Sequence, residues 1–271
     1  MSTRTFVTSV KHSVFEFVRS RSDNRIVRRL AHACQVFLKA YRNNDHNARN
    51  NGEAVYLLKV PAGELACVVD VGAHHGEWAA LVRNAQPEAV IHCFEVTPGS
   101  ARELVRATDG DDRVVVNAFG LGRIDERRTL FLNEHSSDLN SLVRHADHRG
   151  TDIMVEIRTG DSYVSEHALA HIDLLKIDTE GHDIEVLRGF SETLAKGAIT
   201  MVQFEYNEWN IHSRVLLADF YDLLEPLGFT IGKVKPDRIE FMPYSTAEET
   251  WVGPACVAVL RSRQDLIARL S

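Results

Sequence analysis

The chain alternates short apolar runs with segments in which apolar residues recur every three or four positions. Uninterrupted apolar runs are typical of strands buried on both faces of a sheet, whereas the three-to-four spacing predicts amphipathic helices. The predicted strands lie at 66–71, 90–94, 114–118, 129–133, 155–157, 173–178, 199–204, 229–234 and 256–260. Because helical segments separate the longest of these strands, the pattern predicts an α/β fold with a mostly parallel sheet.

The first fifty residues differ from the rest of the chain. Residues 6–41 show helical spacing in two pieces, separated at 21–24, and the asparagine-rich stretch 42–52 is predicted to be a linker. We therefore expect a helical N-terminal extension over 1–50 and one larger domain over 51–271. The extension carries ten Lys and Arg against three acids, a net charge of +7, so the total of −7 leaves −14 for the larger domain.

A basic extension of this kind is compatible with binding to nucleic acid or to an anionic membrane. We favour a solvated extension that packs on the core or across a homodimer, and expect no nucleic-acid partner, because an acidic domain is a poor phosphate clamp. No apolar run approaches the ~20 residues that span a bilayer, and the N-terminus lacks a signal-peptide core. The cysteines, Cys34, Cys67, Cys93 and Cys256, show no paired spacing, which favours a reducing, cytoplasmic location.

Two glycines four residues apart, Gly72 and Gly76, follow the first predicted strand, and helical spacing resumes at Trp78. Strand, tight turn and helix form the first unit of a doubly wound sheet, whose ligands bind at the carboxyl ends of the strands. Gly72 allows the backbone to turn sharply and to approach a ligand, and Gly76 lets the helix begin close to the strand. The turn is therefore a candidate cofactor site.

Glu95 follows the second predicted strand, nineteen residues after Gly76. A carboxylate at this place can accept both hydroxyls of an adenosine ribose, and Asp70, at the end of the first strand, can orient the loop or receive an ammonium group. The third glycine of a dinucleotide-binding fingerprint is missing. A ribose-binding acid without that glycine favours S-adenosylmethionine over NAD as the cofactor.

Two more acids lie at the ends of central strands. Asp178 ends one predicted strand, and Glu205 follows the next. Because parallel strands present their carboxyl ends at one edge of the sheet, we expect these carboxylates to converge beside the glycine turn. Lys176, inside its strand, requires an acidic partner if it is buried, and Glu205 is one candidate.

Several blocks of the chain resemble the FkbM family of S-adenosylmethionine-dependent methyltransferases. These are Asp70–Gly76, Phe94–Pro98, Asn117–Ala118, Leu175–His182 with Val186, Leu187 and Gly189, and Phe204–Glu205. The resemblance covers residues 55–260, and Lys176–Gly181 is its most specific part. It implies a Rossmann-like class I methyltransferase sheet of seven strands, the last of them antiparallel. It also implies O-methylation, commonly of hydroxyls on sugars or natural products.

The resemblance also implies a set of cofactor-binding positions. These are Asp70, Gly72, Ala73, His74, Gly76, Trp78, Glu95, Val96, Asn117, Ala118 and Asp178. Those at the first strand end and turn would line the methionine portion, Glu95 would hold the ribose, and Asn117 with Ala118 would lie near the adenine. The chain departs from the family pattern at Val96, where proline is frequent, and at the two histidines 74–75, in a loop that varies.

A sugar hydroxyl is a poor nucleophile at neutral pH, so such an enzyme must remove or share its proton. A positioned base typically contributes ~10²–10⁴-fold to the rate, and a divalent cation is the alternative. Asp178 and Glu205 suit Mg²⁺, which prefers oxygen ligands, or one of them is the base. His182 and Glu180 are alternative bases. Asp178 can also cap a helix or pair with a lysine, and His182 can be structural.

The polar segment 134–151 lacks periodicity and is predicted to be a functional loop that selects the small-molecule acceptor. His135, His145 and His148 within it are candidate acceptor contacts. His167 and His171 have metal-ligand spacing but no third ligand, so we expect them to face solvent.

Two other functions remain open from the sequence. An NAD-dependent sugar oxidoreductase or epimerase uses the same kind of sheet, but the missing glycine and the two closing strands count against it. A non-catalytic subunit that binds an adenosine ligand would need only the cofactor site. The presence of Asp70, Glu95, Asp178 and Glu205 together argues against that second alternative.

Overall fold

The computed structural model describes residues 12–133, 137, 140–144, 150–253 and 255–271. The chain divides into two compact units, 1–42 and 43–271. In the first unit, residues 12–19 are helical (α1), and a longer helix, α2, spans Arg25–Tyr41. Asn24 caps α2, because its side chain accepts a hydrogen bond from the backbone N–H of Ile26 at 2.8 Å. Two helical pieces are thus present over the described part of 6–41.

The second unit alternates strands and helices. Its helices are α3 (Glu53–Lys59), α4 (Glu77–Ala85), α5 (Pro98–Ala107), α6 (Gly160–Glu166), α7 (Asp183–Gly189), α8 (Ser191–Ala195), α9 (Trp209–Ser213), α10 (Leu217–Leu224) and α11 (Gln264–Leu270). Its strands are β1 (Cys67–Val71), β2 (Val90–Phe94), β3 (Val114–Asn117), β4 (Gly120–Leu121), β5 (Glu126–Phe131), β6 (Asp152–Arg158), β7 (Ile172–Ile177), β8 (Ile199–Phe204), β9 (Phe229–Val234), β10 (Ile239–Phe241) and β11 (Cys256–Leu260).

The main sheet has the strand order β10-β9-β11-β8-β7-β1-β2-β3. Strands β1, β2, β3, β7 and β8 pair in parallel, whereas β11 is inserted antiparallel between β8 and β9. The predicted Rossmann-like sheet with an antiparallel last strand is therefore confirmed. A short eighth strand, β10, pairs antiparallel with β9 at the edge and was not predicted.

The core fills both faces of this sheet. All six residues of β8 are buried, as expected of a central strand covered on both faces, and they include the polar Thr200 and Gln203. Alternate residues of each central strand point to opposite faces, so Leu174 and Leu175 belong to different core clusters. One cluster is completed by Phe220 of α10, and the other by Val82 of α4. Helices on both faces and a parallel centre make this a doubly wound fold, with its ligand edge at the carboxyl ends of β1, β2, β7 and β8.

The strands predicted at 129–133 and 155–157 are present, but they do not join the main sheet. They correspond to β5 and β6, which pair antiparallel and form a small three-stranded sheet with β4. Burial alternates along most of β6, so only one of its faces packs on apolar side chains. The predicted functional loop 134–151 connects these two strands.

The linker predicted at 42–52 is wrong, because most of this stretch packs within the second unit. The Asn43 side-chain amide donates to the backbone carbonyl oxygens of Asn51 at 2.6 Å and Val234 at 3.1 Å. The Asn51 amide in turn donates to the Glu53 carboxylate at 2.7 Å, and both side chains are buried. Asn43 and Asn51, which look like loop composition, satisfy backbone carbonyls of the fold instead.

Candidate active site

A cavity of about 890 Å³ lies at the carboxyl edge of the main sheet. The residues predicted for the site that line it are Gly72, Ala73, His74, Trp78, Glu95, Val96, Asp178, Glu180 and Glu205. The predicted residues that do not line it are Asp70, Gly76, Asn117, Ala118 and His182. The strand ends therefore converge as the topology predicted, and one cavity contains both the glycine turn and the two strand-end acids.

The glycine turn is held against the ends of two strands. Gly72 and Ala73 both donate their N–H groups to the carbonyl oxygen of Phe94, at 2.9 and 3.0 Å. Gly72 has a φ of 80°, and a Cβ at this position would lie 1.8 Å from the carbonyl oxygen of Asp178. Only glycine fits a left-handed turn with such a close backbone approach. The turn therefore packs directly on the segment that carries Asp178.

Glu95 fixes the turn from the other side. Its carboxylate accepts hydrogen bonds from the backbone N–H of His74 at 2.9 Å and of Thr97 at 2.6 Å. Each carboxylate oxygen of Glu95 accepts one hydrogen bond from the backbone and retains a further lone pair. Glu95 lines the cavity, so it is placed both to orient the turn and to accept hydrogen bonds from hydroxyl groups of a ligand.

Lys176 is the cation of the site. Its Nζ lies 3.1 Å from Asp70 Oδ1, 3.3 Å from Asp178 Oδ2 and 3.4 Å from the carbonyl oxygen of Gly72, and its side chain is 5% exposed. Burial alone would lower the pKa of Lys176, but the charges of Asp70 and Asp178 outweigh it and raise that pKa. Lys176 is therefore charged and pairs with these two acids rather than with Glu205.

Asp70 differs in position from its expected role at the methionine portion of the cofactor. Its side chain is 0% exposed and lies beneath the cavity lining, against Lys176. The reason is the register of the sheet, because Asp70 is the direct neighbour of Lys176 across the parallel pair β1–β7. Asp70 compensates the buried ammonium group, and Lys176 is the member of the pair that reaches the cavity.

Glu205 lines the cavity, and its carboxyl group has a raised pKa. Burial, followed by the charges of Asp178 and Glu180, raises the pKa of Glu205 well above its ordinary value. One carboxylate oxygen accepts a hydrogen bond from the side-chain amide of Asn207 at 2.6 Å. A carboxylate with a raised pKa holds a proton more strongly than an exposed one does, which is the property that a general base requires.

Asp183 was not predicted as a site residue, yet it joins the segments that follow β7 and β8. Its carboxylate accepts from Thr179 N at 2.9 Å and Thr179 Oγ1 at 2.5 Å, and from the backbone N–H of Glu205 at 2.9 Å. Burial raises the pKa of Asp183 to about 6. Its place in the first turn of the helix after Asp178 was the only sequence signal of this role.

His182 does not reach the cavity. Its side chain is 3% exposed, and burial lowers the pKa of its imidazole to about 3. The adenine positions also lie outside the lining. Asn117 donates its side-chain amide to the carbonyl oxygen of Cys93 at 3.2 Å and to Tyr163 Oη at 3.2 Å, and Ala118 is exposed. Because His182 is buried outside the cavity lining, its position favours a structural role over that of a catalytic base.

The loop between β5 and β6 contributes to the cavity through the residues that the structure describes. Ser137, Asn140, Ser141 and Leu142 all line it. Ser141 Oγ donates to the carbonyl oxygen of Glu180 at 2.9 Å, and Ser137 Oγ lies 2.8 Å from the imidazole of His74. The candidate acceptor contacts His135, His145 and His148 lie outside the described residues. His167 and His171 are exposed, as predicted.

Sequence reasoning missed the lining that comes from two other segments. Residues 46–49 and Glu53 form part of one wall, and Glu208 with Trp209 forms part of another. Glu53 is held by Asn51 and by the side-chain amide of Gln203, which donates at 2.6 Å. The polar composition of 42–52 concealed the first segment. The second directly follows Glu205, so its closeness to the cavity was accessible from the sequence.

The strand order, the glycine turn and the acid after β2 together define a class I S-adenosylmethionine-dependent methyltransferase. The family model of the methyltransferase FkbM domain matches residues 70–231, which is more than half of the chain. The chain belongs to the FkbM methyltransferase family.

The chain is also similar to named methyltransferases. The chain is 26% identical over 203 residues to 2-O-methyltransferase NoeI of Sinorhizobium fredii, covering 69% of this chain and 82% of that protein. It is 25% identical over 199 residues to hexuronic acid methyltransferase AglP of Haloferax volcanii, covering 71% and 75%. A solved methyltransferase FkbM from Methylobacillus flagellatus is 15% identical with a TM-score of 0.48, covering 73% of this chain and 44% of that one.

Proposed function

We propose that the protein transfers the methyl group of S-adenosylmethionine to a hydroxyl of a sugar, oligosaccharide or glycosylated metabolite. The observation that carries this proposal is Glu205, whose raised pKa suits a general base and whose carboxyl group shares a cavity with the glycine turn. The name of the relative AglP, a hexuronic acid methyltransferase, supports a sugar acceptor.

The residues present fit the cofactor. Gly72 and Ala73 of the glycine turn line the cavity, and each Glu95 oxygen retains a lone pair for a ribose hydroxyl. Trp78 lines the cavity, and its buried indole N–H has no acceptor within the described part of the chain. A buried donor without a partner is costly, so it is suited to a ligand acceptor such as the methionine carboxylate. When bound, the cofactor supplies the electrophilic methyl group.

We assign the base role to Glu205 and a positioning role to Asp178. Lys176 already compensates Asp178, so that carboxylate is suited to orient the acceptor by accepting a hydrogen bond from a neighbouring hydroxyl. Glu205 then accepts the proton of the reacting hydroxyl, while the oxygen of that hydroxyl takes up the methyl group. Glu180, which lines the same wall, raises the proton affinity of Glu205 by its charge.

The Asp178–Glu205 pair does not fit Mg²⁺. Lys176 Nζ stands 3.3 Å from one Asp178 oxygen and would repel a divalent cation there. Among the described residues, the one cluster of three metal-capable side chains consists of His74, His75 and Glu77, which does not include this pair. A chelator is therefore expected to leave the methyl-transfer rate unchanged.

Activity measurements on a panel of glycosides test this function. We expect release of S-adenosylhomocysteine and a glycoside heavier by one methylene, with loss of ~10²-fold or more in kcat for Glu205→Gln and an unchanged cofactor Kd. Glu208→Gln, at the rim of the same cavity, is the matched control and should keep most of the wild-type kcat. A near-wild-type kcat in Glu205→Gln would remove the base assignment. If no glycoside of the panel is methylated, the proposal of a sugar acceptor is wrong.

The pH profile gives a second, independent reading of the same residue. A base acts only when deprotonated, so kcat should rise with pH through a pKa above that of an ordinary glutamate. Because the charge of Glu180 raises the pKa of Glu205, Glu180→Gln should shift this rising limb to lower pH. An unshifted limb in Glu180→Gln would assign the titration to another group.

A further inference from the structure

Helix α2 carries one continuous apolar face. With 17 residues and a rise of ~1.5 Å each, it is about 26 Å long. Residues spaced by three, four and seven positions share a face, and here they are Ile26, Leu30, Phe37 and Tyr41. Their exposed fractions are 68%, 61%, 68% and 73%. The rings of Phe37 and Tyr41 lie nearly parallel, with centroids 6.3 Å apart.

The opposite face of α2 is basic and contains no acid. Arg28, His32, Gln35 and Lys39 lie on that face by helical spacing. Arg25 and Arg29 add two further cations, and the helix contains neither Asp nor Glu from its first residue to its last. An apolar face with aromatic rings, opposite a face rich in Arg and Lys, is the pattern of helices that lie in a membrane interface.

We propose that α2 binds the surface of an anionic membrane and lies parallel to it. Ile26, Leu30 and Phe37 enter the boundary between headgroups and acyl chains, and the cations of the polar face remain among the lipid phosphates. The proposal concerns attachment at the surface. No helix among the described residues is long and apolar enough to cross a membrane.

Other occupants fit the same face less well. A second copy of α2 would cover the apolar face but leave the cations of the opposite face without an acidic partner, because the helix contains no acid. Nucleic acid would satisfy the cations but leave the apolar face exposed to water. Among the residues of the second unit that the structure describes, the large exposed apolar side chains lie on six separate segments: Leu58, Val105, Ile124, Met154, Ile211 and Leu216. They do not form one complementary stripe along an element.

Vesicle binding by the full-length protein tests the proposal. Vesicles of phosphatidylcholine alone are compared with an equal mixture of phosphatidylcholine and phosphatidylglycerol by co-sedimentation. We expect about tenfold or more tighter binding to the anionic vesicles, weakened by added salt because exposed charges are screened. The double variant Ile26→Ser/Phe37→Ser should lose most of this binding, whereas Gln35→Ser, on the polar face of the same helix, should retain it.

A fluorescent label distinguishes insertion from loose adsorption. Cys34 is exposed in α2, whereas Cys67, Cys93 and Cys256 lie in strands of the main sheet. A polarity-sensitive dye on Cys34 should shift to shorter wavelength with anionic vesicles in the Gln35→Ser control but not in the Ile26→Ser/Phe37→Ser variant. S-adenosylmethionine binding by both variants verifies that the second unit is folded.

Three outcomes would overturn the proposal. The first is absence of binding to anionic vesicles by the wild-type chain. The second is a dimer that dissociates in Ile26→Ser/Phe37→Ser without any vesicle binding by the wild type, which would assign the face to a second copy. The third is salt-sensitive binding to RNA or DNA that exceeds vesicle binding. None of these results depends on methyl transfer, so the proposed function is tested separately.

Discussion

Lys176 and Asp70 are neighbours in the register of β1 and β7, and the charge of one is tolerated inside the sheet because of the other. A buried ion pair is weak evidence for net stability, since desolvation opposes the attraction between the charges. Removing one partner is a different matter, because it leaves an uncompensated buried charge. The pair is therefore more important for placing the cavity-facing ammonium group than for overall stability.

Lys176→Met should destabilise the protein by about 3–5 kcal/mol, because Asp70 would be left buried without a cation. Chemical denaturation measures this free energy of unfolding. The control Lys196→Met removes an exposed lysine paired with Glu192 and should cost about 0–1 kcal/mol. The double variant Asp70→Asn/Lys176→Met should recover much of the loss. Equal effects of Lys176→Met and Lys196→Met would contradict the buried pair.

Glu95→Gln should weaken S-adenosylmethionine binding by about tenfold to a hundredfold, because charge-assisted hydrogen bonds contribute about 1.5–3 kcal/mol each. Isothermal titration calorimetry measures the Kd, and Glu192→Gln, at an exposed site, is the control. NAD should not bind to either protein. Since Glu95 also holds the backbone of His74 and Thr97, a thermal melt must show that the variant is folded. Unchanged affinity in a folded Glu95→Gln would remove the ribose assignment.

At the scale of elements, the first turn of α7 ties together the segments that follow β7 and β8. Asp183 makes this connection through Thr179 and through the backbone of Glu205. A second aspartate, Asp161 in α6, binds the start of α8 in the same manner, through Glu192 N at 2.9 Å, Thr193 N at 2.9 Å and Thr193 Oγ1 at 2.6 Å. Asp161 is not part of the cavity lining.

Asp183→Asn and Asp161→Asn therefore form a matched pair. Each replaces one carboxylate oxygen with an amide NH₂, which donates but cannot accept, so each should cost about 1–3 kcal/mol and lower Tm by a few degrees. Only Asp183→Asn should also lower kcat, because only Asp183 positions the Glu205 segment. Equal kcat values for the two variants would show that the connection is structural alone.

The pH dependence of the free energy of unfolding further distinguishes Asp183→Asn from Asp161→Asn. Since burial raises the pKa of Asp183 from 3.8 to about 6, the folded state binds this proton more tightly than the unfolded state does. Its contribution to stability is present below pH 3.8 and is lost as the pH rises through about 6. Asp183→Asn should abolish this decline.

At the scale of the whole molecule, the N-terminal extension is basic and the larger domain is acidic. Among the described residues, seven acids and two strong bases line the cavity: Glu53, Glu77, Glu95, Asp178, Glu180, Glu205 and Glu208, with Arg49 and Lys176. Lys176 is already neutralised by its partners. An anionic acceptor would meet like charges in a poorly solvated site, whereas a neutral or amino sugar would not.

Neutral and amino-sugar glycosides should therefore be methylated with a higher kcat/KM than a matched glucuronide, by about tenfold or more. Product formation with the p-nitrophenyl glucoside, glucosaminide and glucuronide measures this preference. Glu208→Gln should reduce it, because one negative charge at the rim is removed. A glucuronide that is the best acceptor would contradict the electrostatic argument without affecting the methyltransferase assignment.

The sequence by itself determined the order of strands and helices, the glycine turn and the acids at the strand ends. Local patterns suffice for these features, because an apolar run or a 3.6-residue spacing reports burial directly, and parallel topology places all strand ends at one edge. Asp178, Glu205 and Glu95 were found in this way. Each follows a strand that the apolar pattern identifies, so its position at the cavity requires no knowledge of side-chain contacts.

Only the tertiary structure decided which of these groups pair. Lys176 selects Asp70 and Asp178 because of strand register and distance, and neither quantity is encoded in local spacing. His182 follows Asp178 by four positions, but the packing of α7 buries it away from the cavity. Asn51 and Glu53 enter the fold through partners far along the chain, such as Gln203. Contacts between distant segments depend on the assembled core, and the sequence pattern reports only the elements from which it is built.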